Sequence, residues 1–227
     1  MSRAHRHAEP PAPEGTPEWA EWVKDYYRDV ETYDWVAATD RFTGPETLFH
    51  RRRSAEARRL IARHLGPGDG PILDAGCGTG LITRHLPPGA TGIDINPRNI
   101  EVARRRMPEH AFVLGDVEAL PFADATFGGA VCTEVIEHIP APDLALREIA
   151  RVLRPGGVLI GMTPGTSPVW SLRFLSRSCP HSEPFHRSYT TDTVARMLAD
   201  AGMDAVRVDY TLLRMSVAFV ARRPGGG

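Results

Sequence analysis

Three aspartates and a glycine-rich turn are the residues whose types and spacing point most directly to chemistry. Ile72-Leu73-Asp74-Ala75-Gly76-Cys77-Gly78-Thr79-Gly80 ends an apolar run on an acid and then alternates glycine with other residues. Glycine lets the backbone turn sharply and lets a ligand lie against bare main chain. The spacing is GxGxG rather than the GxGxxG of dinucleotide sites, and Asp74 stands where a pyrophosphate would meet a helix N-terminus. A carboxylate there repels phosphate and suits a cationic ligand. Asp94 closes the next apolar run, twenty residues on, where an acid can accept from both hydroxyls of a ribose. Asp116 closes the third, in Gly115-Asp116-Val117, placed to meet an adenine amino group. One such acid could merely cap a strand or a helix. Three, after successive strands of one sheet, point to one ligand.

A second cluster, Cys132-Thr133-Glu134-Val135-Ile136-Glu137-His138, follows the fourth apolar run. If a helical turn begins here, Glu134, Glu137 and His138 share a face at i, i+3 and i+4. Two chemistries compete. His138 can act as a general base, with Glu137 beside it, for an acceptor such as a phenol. Alternatively, the two carboxylates and the imidazole can hold a divalent ion that acidifies a hydroxyl; hard oxygens with imidazole suit Mg, Mn or Zn. The plainer reading leaves Glu134 on a cofactor, Glu137 packing a loop and His138 as an ordinary pocket residue.

The elements that must position these residues are legible as alternation. From Pro71 short apolar runs (PILDAG, ATGIDI, AFVLGD, GGAVCTE, GGVLIGM) alternate with helical stretches (TGLITRHL, NPRNIEVARRRM, APDLALREIARVL). That pattern specifies a parallel sheet with crossover helices on both faces. A helix, TTDTVARMLADAG, precedes two closing strands, DAVRVDYTL and MSVAFVARR, whose short connection forces them antiparallel. The expectation is a doubly wound, Rossmann-like, mostly parallel seven-stranded sheet with one antiparallel strand near its edge. Residues 1–17 read as a disordered tail and 18–68 as an N-terminal helical arm. In that arm Trp19, Trp22, Val23, Tyr26 and Tyr27 recur at helical spacing, and a second helix runs from Glu46 to the Gly66-Pro67-Gly68 stop. The domain proper would span 69–223, with a loop-rich substrate segment at 163–189.

The chain has 227 residues, 42% hydrophobic and 24% charged, with net charge −1; its mean hydropathy is −0.26. A chain this long buries a core without staples. It shows no apolar stretch near the roughly 18 residues a membrane span needs and lacks the basic footprint of a general nucleic-acid binder. Cys77, Cys132 and Cys179 form no CxxC motif, which favours a reducing, cytoplasmic setting. Among 27 basic residues only Lys24 is lysine, which reads as coding bias. Arg51-Arg52-Arg53 with Arg58 and Arg59 reads as a solvated helix face, or as an attraction for an acidic substrate or a phosphate. Arg104-Arg105-Arg106 complements a helix C-terminus.

LDAGCGTG, GIDIN, GDVEALPFADATFG, EVIEHIP and LREIARVLRPGGVLI together resemble the class I S-adenosylmethionine-dependent methyltransferases, in the small-molecule branch that includes ubiquinone-biosynthesis enzymes. The resemblance is dense from Pro71 to Thr163. It implies S-adenosyl-L-methionine as cofactor, with Asp74, Ala75, Gly76, Cys77, Gly78 and Gly80 toward its methionine part. Asp94 and Ile95 would meet the ribose and Asp116 and Val117 the adenine, with Thr133 nearby. The ExxEH pattern also resembles metal-dependent O-methyltransferases, including small-RNA 2′-O-methyltransferases in which a later histidine completes a metal site. Here that set would be Glu134, Glu137, His138 and His186, with His181 as the other candidate, around Mg or Mn. The leading expectation is O-methylation of a small molecule by a monomer or homodimer. RNA ribose methylation, opposed by the net charge, and a cofactor-binding protein that transfers no methyl are the alternatives. Trp19, Trp22, Tyr26, Tyr27, Tyr33 and Trp35 would cover the substrate pocket from the arm, or simply pack it. Trp170, Phe174 and Phe185 would form the opposite wall.

Overall fold

The computed structural model describes residues 10–32, 34–40, 45–168 and 186–225. A seven-stranded sheet in the order β3-β2-β1-β4-β5-β7-β6 organises it. The strands are β1 (Ile72–Ala75), β2 (Thr91–Asp94), β3 (Ala111–Leu114), β4 (Phe127–Thr133), β5 (Leu153–Pro164), β6 (Asp204–Thr211) and β7 (Ser216–Arg222). β1 to β5 pair in parallel, while β7 runs antiparallel between β5 and β6. The expected sheet, with its one reversed strand near an edge, is therefore present. β1 is buried along its whole length and β5 from Gly157 on, the continuous apolar habit of strands covered on both faces.

Helices α1 (Pro17–Asp29), α2 (Trp35–Asp40), α3 (Pro45–His64), α4 (Pro97–Arg106), α5 (Pro142–Val152) and α6 (Thr191–Asp200) flank the sheet. Ala57, Leu60, Ile61 and Leu65 pack with Ile72, Val131, Val158 and Ile160 to bury the inner stripe of α3. Leu146 and Ile149 of α5 with Val194 and Leu198 of α6 belong to a separate core cluster with Leu73, Ala130 and Phe219. Among the described residues, no helix is long and apolar enough to cross a membrane.

Two expectations need correction. TGLITRHL forms no α-helix: only a 3-10 turn, Thr83–His85, follows the glycine loop. Pro87 and Pro88 come next, and proline bars the residue before it from the helical region; Leu86 is accordingly extended, with φ −84° and ψ 157°. The stretch read as a tail also contributes structure at its end. Thr16 caps α1 by accepting from Trp19 N, and Glu14 pairs with Arg187 at 3.0 Å.

Candidate active site

The glycine loop is folded by its own backbone. Gly76 and Cys77 both donate to the carbonyl of Ile93, at 2.8 and 2.9 Å, and Gly80 donates to Cys77. Gly76 has φ +75°, and a side chain there would meet Val135 Cγ2 at 2.3 Å. A Cβ on Gly78 would meet nothing within 4 Å, so open space lies beside the loop. Gly80 (φ +91°) is needed for packing instead, since a Cβ would press on Met107 Cε at 1.9 Å.

This loop borders a cavity of about 550 Å³, within the range of small-molecule sites. Of the residues expected at a cofactor, Asp74, Gly76, Cys77, Gly78, Asp94, Ile95, Asp116, Val117 and Thr133 line it. Ala75 and Gly80 do not; Ala75 lies in the core. Asp74, 1% exposed, accepts from Thr83 Oγ1 at 2.5 Å. Burial, opposed by that hydrogen bond and reinforced by Asp94, pushes its carboxyl up to about 7. Asp94 accepts from Gly78 N and Asn96 N, both at 2.9 Å, and from Asn99 Nδ2 at 3.1 Å; burial outweighs these bonds and raises its carboxyl. Thr79 Oγ1, on the same wall, is buried and has no hydrogen-bond partner among the described residues. A buried hydroxyl left over beside the buried Asp74 and the half-buried Asp94 fits a polar, partly cationic ligand.

The arm closes this cavity. Trp19, Val23 and Tyr26 bury one face of α1, while Lys24, Tyr26 and Tyr27 line the cavity together with Trp35. Lys24 Nζ bridges Asp116 Oδ2 at 2.7 Å and Glu118 Oε2 at 2.6 Å. Asn96 Nδ2 donates to the carbonyls of Tyr27 (3.1 Å) and Val30 (2.9 Å), while its Oδ1 caps α4 by accepting from Arg98 N and Asn99 N. Sequence reasoning gave neither Lys24 nor Asn96 a part in the site. The uniqueness of the lysine and the asparagine closing GIDIN were the available signals.

The segment after β4 is a turn rather than a helix. Glu134 is left-handed at φ +56°, and His138 N donates to Val135 O at 2.9 Å. Glu134, Glu137, His138 and His186 therefore do not form the expected metal-ligand set. Among the described residues, no three of His, Cys, Asp or Glu come together as a metal site. Glu134 accepts from Arg53 Nη1 at 2.6 Å. Glu137 is fully buried and accepts from Thr163 Oγ1 at 3.1 Å; burial, with the charge of Glu134 next, holds its carboxyl far above the usual range. Its second oxygen, without a hydrogen-bond partner among the described residues, lies 3.8 Å from His138 Nε2. His138 instead shares a 3.0 Å hydrogen bond between Nδ1 and Tyr27 OH, and its ring lies 5.4 Å from that of the exposed His186. Glu134, His138 and His186 line the cavity and Glu137 does not. Arg187 N donates to Glu137 O and Tyr189 OH to Ile136 O, which pins the turn from the far side. Tyr33, Trp170, Phe174, His181 and Phe185 lie outside the described residues.

Residues 73–161 match the family model of a methyltransferase domain. The chain carries a methyltransferase domain. Over 175 residues it is 31% identical to the malonyl-(acyl-carrier protein) O-methyltransferase of Enterobacter lignolyticus, covering 74% of this chain and 66% of that protein. Over 171 residues it is 42% identical to the O-methyltransferase cnsE of Penicillium expansum, covering 70% and 60%. The crystal structure of magnesium protoporphyrin IX methyltransferase from Synechocystis superposes with a TM-score of 0.69 at 17% identity, over 88% of this chain and 98% of that one. It shares the fold of the methyltransferase domain. The chain spans two thirds or less of the length of the first curated relatives it matches.

Proposed function

We propose that this chain transfers the methyl group of S-adenosylmethionine to an oxygen of a small molecule. One observation carries the reading: the strand-end acids Asp74, Asp94 and Asp116 and the Tyr27–His138 pair open onto the same cavity. The cofactor supplies a sulfonium methyl that is already electrophilic, so alignment and exclusion of water are what the protein must add. In this reading Asp74 and Thr79 hold the amino-acid part, Asp94 accepts from the ribose hydroxyls and Asp116 faces the adenine. The backbone of Gly76 to Gly78 lies along the cofactor. α1 covers the cavity and brings Tyr27 onto His138. Where the acceptor is a hydroxyl, the Tyr27–His138 pair takes its proton. The relatives named as O-methyltransferases support oxygen as the acceptor atom.

The test is calorimetric titration of S-adenosylhomocysteine, paired with counting of methyl transfer to an acceptor panel. Asp94→Ala should weaken the nucleoside by about 10- to 100-fold, the scale of one or two hydrogen bonds to a charged group. His138→Ala should keep that affinity and lower transfer to hydroxyl acceptors by about 100-fold or more. Unchanged affinity in Asp94→Ala would sink the ribose assignment and, with it, the placement of the cofactor.

A further inference from the structure

We infer that the acceptor is a carboxylate and that Arg53 binds it, so that the product is a methyl ester. This rests on the methyl-transfer reading and names its substrate class. The arginine run on α3 reads as solvated surface, and Arg51 and Arg52 are indeed exposed. Arg53 is not. Its side chain is 13% exposed, lines the cavity and lies with its guanidinium 5.6 Å from the centre of the Phe49 ring. Its partner, Glu134, is 18% exposed and directly follows Thr133, the last residue of β4.

Two costs meet at this point. An ion pair largely withdrawn from water must repay much of the desolvation of both charges, and apolar residues of the same volume often stabilise a fold as well. A non-glycine residue held left-handed is a further strain of the kind that collects at functional sites; Glu134 is one, at φ +56°. Stability alone accounts for neither. The geometry supplies the use. Arg53 donates to Glu134 through Nη1, which orients the guanidinium and leaves its Nε–Nη2 edge, the edge that matches a carboxylate with two parallel bonds.

The charge of the cavity selects a monoanion. Among its described lining residues the other fixed cation is Lys24, already bridging Asp116 and Glu118. One free guanidinium edge, with Glu134 on the other side, suits one negative charge and would leave a phosphate dianion undercompensated. Trp35, Phe49, Met162 and Met215 line the same cavity and favour an apolar body on the acid. The step balances without a base. The carboxylate oxygen forms the new bond to the methyl carbon, the carbon–sulfur bond breaks, and its electron pair stays on sulfur. No proton moves.

Matched acid and alcohol probes test this: octanoate against octanol, and 4-phenylbutyrate against 4-phenylbutanol. Each is titrated calorimetrically with and without saturating S-adenosylhomocysteine, and methyl ester is assayed at saturating S-adenosylmethionine at every pH. At least one acid should bind tenfold or more tightly than its alcohol, with a rate of ester formation flat from pH 6.5 to 8. Arg53→Met should abolish that preference at unchanged nucleoside affinity. Glu134→Gln should strengthen acid binding severalfold, because it removes the competing carboxylate; a purely structural ion pair would make both variants weaker binders. Acids that bind no better than alcohols, or a preference that survives in Arg53→Met, overturn the inference while transfer to hydroxyls would leave the broader reading intact. Acid binding on Arg53 in a protein that does not take up the nucleoside overturns the broader reading and leaves the acid site.

Discussion

Asp74 makes cofactor binding depend on pH in a direction its burial dictates. An acid whose carboxyl sits at about 7 is largely neutral at pH 6 and largely ionised at pH 8. The ammonium assigned to it pairs with the ionised form. Affinity for S-adenosylhomocysteine should therefore rise about tenfold from pH 6 to pH 8, following the ionised fraction. Asp74→Asn should bind more weakly with a flat profile; a wild-type profile that is already flat would show the ammonium to lie elsewhere. Asp74, Asp94 and Asp116 were legible in the sequence because a strand end in a parallel sheet faces the ligand crevice, whatever else the chain does. Arg53 and Tyr27 were legible only as members of an arginine run and an aromatic stripe, without their partners. Each reaches a partner 81 or 111 positions away, and nothing local distinguishes Arg53 from its exposed neighbours Arg51 and Arg52. Spacing puts Glu134, Glu137 and His138 on one face only if the segment is helical; Glu134's left-handed backbone makes it a turn, in which Glu137 stays 3.8 Å from His138 but the described residues assemble no metal site.

α1 is the element through which the two halves of the site communicate. It is docked by Lys24 on Asp116 and Glu118 and by Asn96 on the carbonyls of Tyr27 and Val30. The same helix presents Tyr27 to His138. Lys24 thus joins the arm to the acid expected at the adenine, and a compact ammonium can bridge two carboxylates where a planar guanidinium would prefer one. Lys24→Met removes two charge-assisted contacts of a partly exposed side chain, about 1–2 kcal/mol together. Release of S-adenosylhomocysteine, followed by stopped flow, should accelerate about 5- to 30-fold, with Lys24→Arg between wild type and Lys24→Met. An unchanged release rate would mean that α1 does not gate the cofactor. The periodicity of α1 was readable in the sequence because its apolar face recurs at helical spacing. The stretch after the glycine loop misled because TGLITRHL has helical composition, while the prolines behind it and Thr83's bond to Asp74 hold it in turns.

The whole molecule stores three acids in the protonated direction. Burial raises Asp74, Asp94 and Glu137 above their ordinary range, so the folded protein binds more protons than the unfolded chain once pH exceeds about 4. The sign follows: stability falls as pH rises, through about 7 for Asp74, and Glu137 acts in the same direction. Surface acids act oppositely. Arg84, Arg59 and Arg151, each donating a hydrogen bond, lower Asp40, Glu56 and Glu148, but their contribution is complete above the ordinary carboxylate range. His85, brought down to about 4 by burial, also acts oppositely, and its window closes above about 6.5. Between pH 6.5 and 8 the buried acids dominate the slope, opposed at its lower end by His64 and His85, which burial lowers. From Asp74 alone the ligand-free protein should lose about 1 kcal/mol over that interval, or about 2–4 °C in Tm for a chain of this length, with Glu137 acting in the same direction. S-adenosylhomocysteine should restore more at pH 8 than at pH 6.5, because its ammonium offsets the Asp74 charge. Glu137→Gln keeps an acceptor for Thr163 and removes the ionisation, so it should flatten the slope; a Tm that holds or climbs from pH 6.5 to 8 would show that these acids reach water on ionising and that the cavity floor opens to admit it.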